Sequence, residues 1–345
     1  MAGKMKAAIY RDVEQIGIDE VEIPAPKPDY VLLKIKSCGI CGSDLHSYWG
    51  HWGRGTKASG HEISGVVVEL GRGVTNVKVG DRVCVECFSH CGKCLYCRTG
   101  AYNLCLNRGG ASGGEHSGFA EYGIAHFSSL YTLPVSFSFA EGVLIEPLAV
   151  SYRTLCQGEA THHDRVVILG SGSIGLFCLA AAKAIGVQET IISTKYEHQA
   201  QIAQELGADY VIRITTQNLR EEVKQITNNL GADVVIETVA SPENFDDALS
   251  IVRRKGRVVL VGGYHKPLEV NIGRLVSLEA TIVGSNCYAY SGIRTDFEAS
   301  MKLIASGKVP AMKLVTHQFP LSEIAEAFRV AADKNSGSIK VLVNP

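Results

Sequence analysis

The sequence has almost no charge imbalance. Its 34 lysines and arginines face 35 acidic residues, a formal net charge of −1, and the basic residues form no clustered footprint. That excludes nucleic acid or an acidic membrane surface as an implied partner, because binding either needs concentrated positive charge. No apolar run approaches the length of a membrane span, and the opening MAGKMKAAIYRDVEQ lacks the apolar stretch of a secretion signal. A soluble, cytoplasmic protein is expected. Disorder is not, since 46% hydrophobic and 20% charged residues leave ample material for packed cores. At 345 residues the chain is long for one core and suggests two domains.

What is plentiful is cysteine. Eleven thiols, an odd number in a chain expected in a reducing compartment, argue against disulfides and for metal ligation wherever they cluster. Cys156, Cys178 and Cys287 are scattered among apolar residues and are expected to be core.

The stretch GICGSDLHSYWGHWGRGTKASGHE, residues 39 to 62, carries the densest chemistry. Cys41, His61 and Glu62 supply a thiol, an imidazole and a carboxylate, a mixed set that suits zinc. Ser43 and His46 stand beside the thiol and can pass a proton between a metal-bound alcohol and water. Any one of these residues alone would read as ordinary core or surface. Cys38 forms a CxxC with Cys41, but a redox pair would compete with the metal for Cys41, so Cys38 is taken as a bystander.

Around this stretch, from Met5 to about Glu86, short β-branched runs alternate with turns and show no useful helical period, so a β-rich module is expected. Next come Cys91, Cys94, Cys97 and Cys105. Four thiolates at this spacing close a tetrahedral shell with no open position, which makes the site structural. Cys87 is surplus to the four. Glu146, in the apolar setting VLIEPLAV, is either a third ligand of the catalytic metal or a carboxylate capping a helix that starts at Pro147.

After His162, His163 and Asp164 the pattern changes. A short strand, Arg165 to Leu169, leads into Gly170, Gly172, Ser173, Ile174 and Gly175 at the head of a helix, followed by a second strand. That order is the dinucleotide-binding fingerprint, in which the glycines allow a tight turn and close approach of the pyrophosphate to the helix N-terminus. Strand and helix continue to alternate, so a doubly wound parallel sheet is expected. At the end of the second strand, where an acidic residue would bind the ribose 2′-hydroxyl, the chain reads Thr194, Lys195, Tyr196. The missing carboxylate, with Lys195 adjacent and Arg213 at the end of the next strand, favours NADP over NAD. Glu197 is expected on a helix surface. The tail, from about Tyr288, has a different grain, and its final strand could rejoin either module.

These motifs together resemble the zinc-containing medium-chain alcohol and polyol dehydrogenases over nearly the whole chain. The resemblance rests on GICGSDLH, GHE at 60 to 62, VGDRV at 79 to 83, CGKCLYC with Cys105, EPLAV, GSGSIG, and the closing DFEASMKLIASGKV and SIKVLVNP. It is closest to the sorbitol and threonine dehydrogenase branch, where a glutamate, here Glu146, replaces the second cysteine of liver-type alcohol dehydrogenases. The resemblance implies an α/β fold: a GroES-like β-rich catalytic domain, residues 1–150 and 288–345, with a structural zinc lobe at about 87–106, and a Rossmann domain, residues 151–287, with the active site in the cleft between them. It implies that Cys41 and His61 ligate a catalytic zinc, that Glu146 or Glu62 completes the shell directly or through water, that Asp44 orients His61, and that Ser43 and His46 form the proton relay. A homodimer or homotetramer is implied as well. The expected reaction is hydride transfer between NADP or NAD and a secondary alcohol or polyol, with threonine or a sugar derivative as alternatives. A catalytically silent nucleotide-binding protein is the rival from another class. Trp49, His51, Trp52 and Arg54 either line the substrate pocket or form a surface loop.

Overall fold

The computed structural model describes residues 3–52 and 55–345. It divides into two compact units, Met1–Glu146 with Ala311–Pro345, and Pro147–Pro310.

The first unit is built on strands. β1 (Lys4–Asp12) and β2 (Gln15–Glu22) pair antiparallel. β3 (Tyr30–Gly39) buries the run Val31, Leu32 and Leu33 and then Ile35, exposing only Lys34 among them, so both faces of the strand are largely covered. It runs directly into α1 (Gly42–Tyr48). β4 (Glu62–Leu70) returns antiparallel along β3, and β5 (Arg82–Val85) along β4. Two short strands, β6 (Phe88–Ser89) and β7 (Gly109–Gly110), pair with each other and bracket the cysteine lobe with its single turn α2 (Leu95–Arg98). β8 (Tyr122–His126) lies against β3, and β9 (Leu130–Thr132) against β5.

α3 (Phe139–Gln157) follows, with Pro147 inside it. The alternative in which Glu146 caps a helix opening at Pro147 is therefore corrected. The helix begins eight residues before Pro147, and the proline, lacking an N–H, leaves the Val143 carbonyl without its usual donor.

The second unit is a six-stranded, wholly parallel sheet. β10 (Arg165–Leu169), α4 (Ser173–Ile185), β11 (Glu189–Thr194), α5 (Glu197–Glu205) and β12 (Tyr210–Arg213) form one half; α6 (Leu219–Ile226), β13 (Ala232–Glu237), α7 (Pro242–Ile251), β14 (Val252–Leu260), α8 (Ile272–Leu278) and β15 (Thr281–Gly284) lead through the other. The spatial order β12-β11-β10-β13-β14-β15 reverses direction between β10 and β13, where doubly wound folds bind ligands. Helix ends carry their own signals. Asn218 caps α6, Ser241 caps α7 with Pro242 in its first turn, and Gly186 closes α4 at φ 84°.

A hairpin, β16 (Tyr290–Ser291) and β17 (Arg294–Thr295), then α9 (Asp296–Ala305), complete this unit. Residues 288–310, expected with the first module, fold here instead. The fully buried Asp296 accepts from the Ala289 N–H and lies 3.8 Å from Arg153, and Tyr288 packs edge-on against Phe297.

The tail then rejoins the first unit through β18 (Val315–Pro320), α10 (Ile324–Ala332) and β19 (Lys340–Asn344). β19 sits parallel to β18 and antiparallel to β3, giving the order β18-β19-β3-β4-β5-β9, with β8 also on β3. Phe328 of α10 anchors this return among the rings of Tyr10, Tyr48 and Phe119. The last strand thus runs beside the strand that delivers Cys41.

Candidate metal and nucleotide sites

The end of β3 and the start of β4 set the geometry of the first site. Gly39 is the register partner of Glu62, and a Cβ at Gly39 would lie 2.0 Å from a Glu62 carboxylate oxygen, so only glycine leaves room for that carboxylate. Two residues on, Cys41 stands at the N-cap of α1, where its N–H donates to Asp44 Oδ2 at 2.9 Å. The other Asp44 oxygen lies 3.7 Å from His61 Nδ1. Ligand atoms of Cys41, His61 and Glu62 all fall within 4.8 Å of one another, close enough to share one ion.

Electrostatics in this cluster favour a cation. Burial works against charge on His61, yet the negative charges of Asp44 and Cys41 outweigh it and hold the imidazole well above its ordinary pKa. Cys38, by contrast, is fully buried behind the cluster; burial and the nearby Asp44 and Glu62 push its thiol up, so it stays protonated. Cys38 belongs to the core, as expected of a bystander.

Glu62 is fully buried, and Lys340 of β19 donates to both of its oxygens, at 2.6 and 2.7 Å, and to the Ile40 carbonyl at 3.1 Å. Burial alone would lower the Lys340 pKa; Glu62 and Cys41 reverse that and raise it. Sequence reasoning missed Lys340. The signal was a single cation inside an apolar terminal strand. Glu146 is buried in α3, near enough to Lys340 to contribute to the same rise, but it does not join Cys41, His61 and Glu62 in the 4.8 Å cluster.

Ser43 and His46 lie three residues apart in α1 and so share a face. A cavity of about 220 Å³ opens beside His61, lined by Ser59, Glu86, Cys87, Ser112 and Ser117 among others. Trp49, His51 and Trp52 do not line it, and Arg54 lies outside the described residues.

The four lobe cysteines converge as their spacing predicts. Neighbouring sulfurs lie 3.5 to 4.0 Å apart, and the four form one potential ligand group. Backbone N–H groups aim at them: Lys93 and Cys94 pull Cys91 down to about 6, and Cys97 and Leu106 lower Cys94. Cys97 moves the other way, to about 12, through burial and its sulfur neighbours. Four thiolates cannot accumulate here without a cation, which is the environment a zinc ion resolves.

In the second unit each fingerprint glycine has its own reason. Gly170 turns at φ 97°, and a Cβ there would meet Thr238. A Cβ on Gly175 would lie 2.0 Å from the Gly170 carbonyl, so that glycine lets α4 pack on the turn; around Gly172 nothing lies within 4 Å. The open space at Gly172 faces the head of a 13-residue helix, and the buried Ser173 hydroxyl there has no hydrogen-bond partner. Exposed N–H groups, helix dipole and free hydroxyl fit a pyrophosphate.

Beyond it, Thr194 is buried at the end of β11, Lys195 is exposed with its ammonium 5.6 Å from the Tyr196 ring centre, and Arg213 stands beside Thr194 in the sheet register. Glu197 is not an idle surface residue. It pairs with the Arg213 guanidinium, so part of the positive charge expected for a 2′-phosphate is already engaged.

Comparison with known proteins agrees with both halves. Residues 27–135 match the alcohol dehydrogenase GroES-like domain, and residues 173–306 match the zinc-binding dehydrogenase domain. The chain is 36% identical to a sorbitol dehydrogenase of Halalkalibacterium halodurans over 333 residues, covering 95% of each. It is 32% identical to an L-threonine 3-dehydrogenase of Pyrococcus horikoshii, covering 93% of each. The crystal structure of a Sinorhizobium meliloti protein bound to NADP superposes with a TM-score of 0.88 at 28% identity, covering 99% of this chain and all of that one.

Proposed function

The chain belongs to the zinc-binding, GroES-like medium-chain alcohol and polyol dehydrogenases, and from that premise we propose that it transfers hydride between NADP, in preference to NAD, and a secondary alcohol or polyol. The observation that carries this reading is the convergence of Cys41, His61 and Glu62 within 4.8 Å, beside a helix that presents Ser43 and His46. When bound, zinc supplies a Lewis acid that acidifies the substrate hydroxyl, and the nicotinamide accepts the hydride.

The chain's own residues do the rest. Cys41 and His61 hold the metal with Glu62 or Glu146, while Asp44 fixes the His61 ring. Lys340 neutralises Glu62 so that a second buried carboxylate can be tolerated nearby. Ser43 receives the hydroxyl proton and His46 carries it outward. Gly170, Gly172, Ser173, Ile174 and Gly175 seat the pyrophosphate. Thr194 leaves the ribose end free of a repelling carboxylate, and Lys195 and Arg213 supply positive charge for a 2′-phosphate. Cys91, Cys94, Cys97 and Cys105 hold a structural zinc. The enzyme works as a homodimer or homotetramer in the cytoplasm, where its metal-binding thiols stay reduced.

Initial rates of reduced-nicotinamide formation by the zinc-loaded protein test this, over secondary alcohols, polyols and threonine, with NADP and NAD in parallel. A polyol or secondary-alcohol rate with NADP preference is expected. A threonine rate alone would transfer the reading to that substrate, and NAD preference would return Lys195 to solvent. No rate together with tight nucleotide binding would favour the catalytically silent alternative.

A further inference from the structure

α1 ends in a way that returns the chain onto its own last turn. Trp49 is the C-cap, Gly50 takes φ 71°, the Gly50 N–H donates to the Ser47 carbonyl at 3.1 Å, and the His51 N–H donates to the His46 carbonyl at 2.9 Å. This is the Schellman arrangement, in which the second residue beyond the cap is folded against the residue three before it. Usually two apolar side chains meet there. Here they are imidazoles, His46 and His51, with their Nδ1 atoms 3.2 Å apart.

Two Nδ1 atoms at that distance must be one donor and one acceptor, so a single proton lies between them. His46 is half-buried and His51 exposed. The aromatic setting holds the inner ring: Trp52 stacks on His46 at 5.1 Å, and Trp49 meets it edge-on at 5.6 Å. Asp44, the acid on the same helix, faces Cys41 N and His61.

We propose that His51 is the outward end of the proton relay, conveying to solvent the proton that His46 receives. The proposal rests on the dehydrogenase reading of Ser43 and His46. A proton arriving on the His46 ring displaces its Nδ1 proton to Nδ1 of His51, and His51 gives a proton to water or a buffer base. One N–H bond forms for each that breaks, one proton enters the pair and one leaves, and no electrons move. Loss of a proton to water from one ring nitrogen and uptake at the other, on each ring, restores the starting tautomers. His51 acts through His46 and touches no substrate.

The test is single-turnover proton release by the zinc-loaded enzyme, followed with a pH indicator in dilute buffer, using the alcohol most rapidly oxidised in the panel. His51→Gln keeps a hydrogen-bonding side chain but cannot relay. It is expected to slow proton release about tenfold or more, and added imidazole should restore the rate in a saturable way while leaving wild type unchanged. Release by His51→Gln at the wild-type rate, with no dependence on buffer, would overturn the proposal. So would a slowed rate that imidazole does not rescue, since that marks a packing role only. If wild type turns over no alcohol, the dehydrogenase reading fails on its own account. Nitrogen NMR of the histidine-labelled, zinc-loaded protein then judges the pair: no shared Nδ1 proton in wild type overturns it, and one that disappears in His51→Gln supports it.

Discussion

The Lys340 ammonium lies 2.6 and 2.7 Å from the two oxygens of Glu62, and both side chains are almost wholly buried. A pair this deep is expensive to break from one side, because the remaining charge has no water to turn to. Lys340→Met should destabilise the zinc-loaded protein by about 3–5 kcal/mol, and the same change made in a Glu62→Leu background should cost much less. Urea titration of the single and double variants checks it; an additive double variant would mean that the two residues do not depend on each other.

The two thiol sites should fail differently. Cys41→Ala is expected to lose one zinc per chain and turnover while the fold and the lobe zinc persist. Cys94→Ser is expected to lose the other zinc, with a drop in melting temperature as the larger effect. Metal analysis beside melting curves separates them. At the first site, Glu62→Gln should weaken zinc binding more than Glu146→Gln, since only Glu62 lies in the 4.8 Å cluster; the reverse order would make Glu146 the direct ligand.

Two glycines five and two residues past Gly170 offer a clean contrast. Gly175→Ala would put a methyl group 2.0 Å from a backbone carbonyl, whereas at Gly172 nothing lies within 4 Å. Gly175→Ala should therefore lower stability. Gly172→Ala should leave the melting temperature nearly unchanged and weaken nucleotide binding about tenfold, or 1.4 kcal/mol. Calorimetric titration with NADP reads the second effect, and unchanged affinity would remove Gly172 from the site.

Cofactor preference should respond to Glu197. With its guanidinium released from Glu197, Arg213 has a freer charge for a 2′-phosphate, so Glu197→Gln should raise the NADP to NAD ratio of kcat/KM several-fold. Lys195→Ala should lower it. A ratio indifferent to both changes would place the 2′ position elsewhere.

Acid stability has a traceable contributor in Asp209. Burial alone would raise its pKa, but the Lys183 ammonium and the N–H and hydroxyl of Thr190 outweigh it and hold the carboxyl below its ordinary 3.8. A depressed folded-state pKa means stability present above the unfolded value and lost as pH falls through the folded one. Asp209→Asn should thus narrow the stability difference between pH 6 and pH 3, read by urea midpoints at the two values; an unchanged difference would show that Asp209 titrates alike in both states.

Local motifs were legible because their residues are neighbours in the chain. The four lobe cysteines span fifteen positions, the fingerprint glycines six, and GHE three, so spacing alone limited what they could surround. What escaped notice depended on returns of the chain. Nothing near Glu62 announces a lysine 278 residues later, and Glu197 read as a surface charge because its partner is on the next strand. Pro147 misled in another way. A proline usually opens a helix, but the apolar packing of α3 carries the helix through it. The His46 and His51 contact needed only one turn, yet it follows from the φ of Gly50, which composition does not reveal.

The place of β19 after the intervening unit bears on biosynthesis. While the protein is being made, the thiol, imidazole and carboxylate of the first site emerge before the intervening unit, but the lysine that compensates Glu62 and the strand that flanks Gly39 emerge only after it. Until then the nascent chain has an uncompensated acid and an open strand edge beside the residues proposed to hold the metal. Completion of that centre thereby waits on β19, and a chain stopped before Lys340 keeps every proposed ligand yet lacks the cation that compensates Glu62.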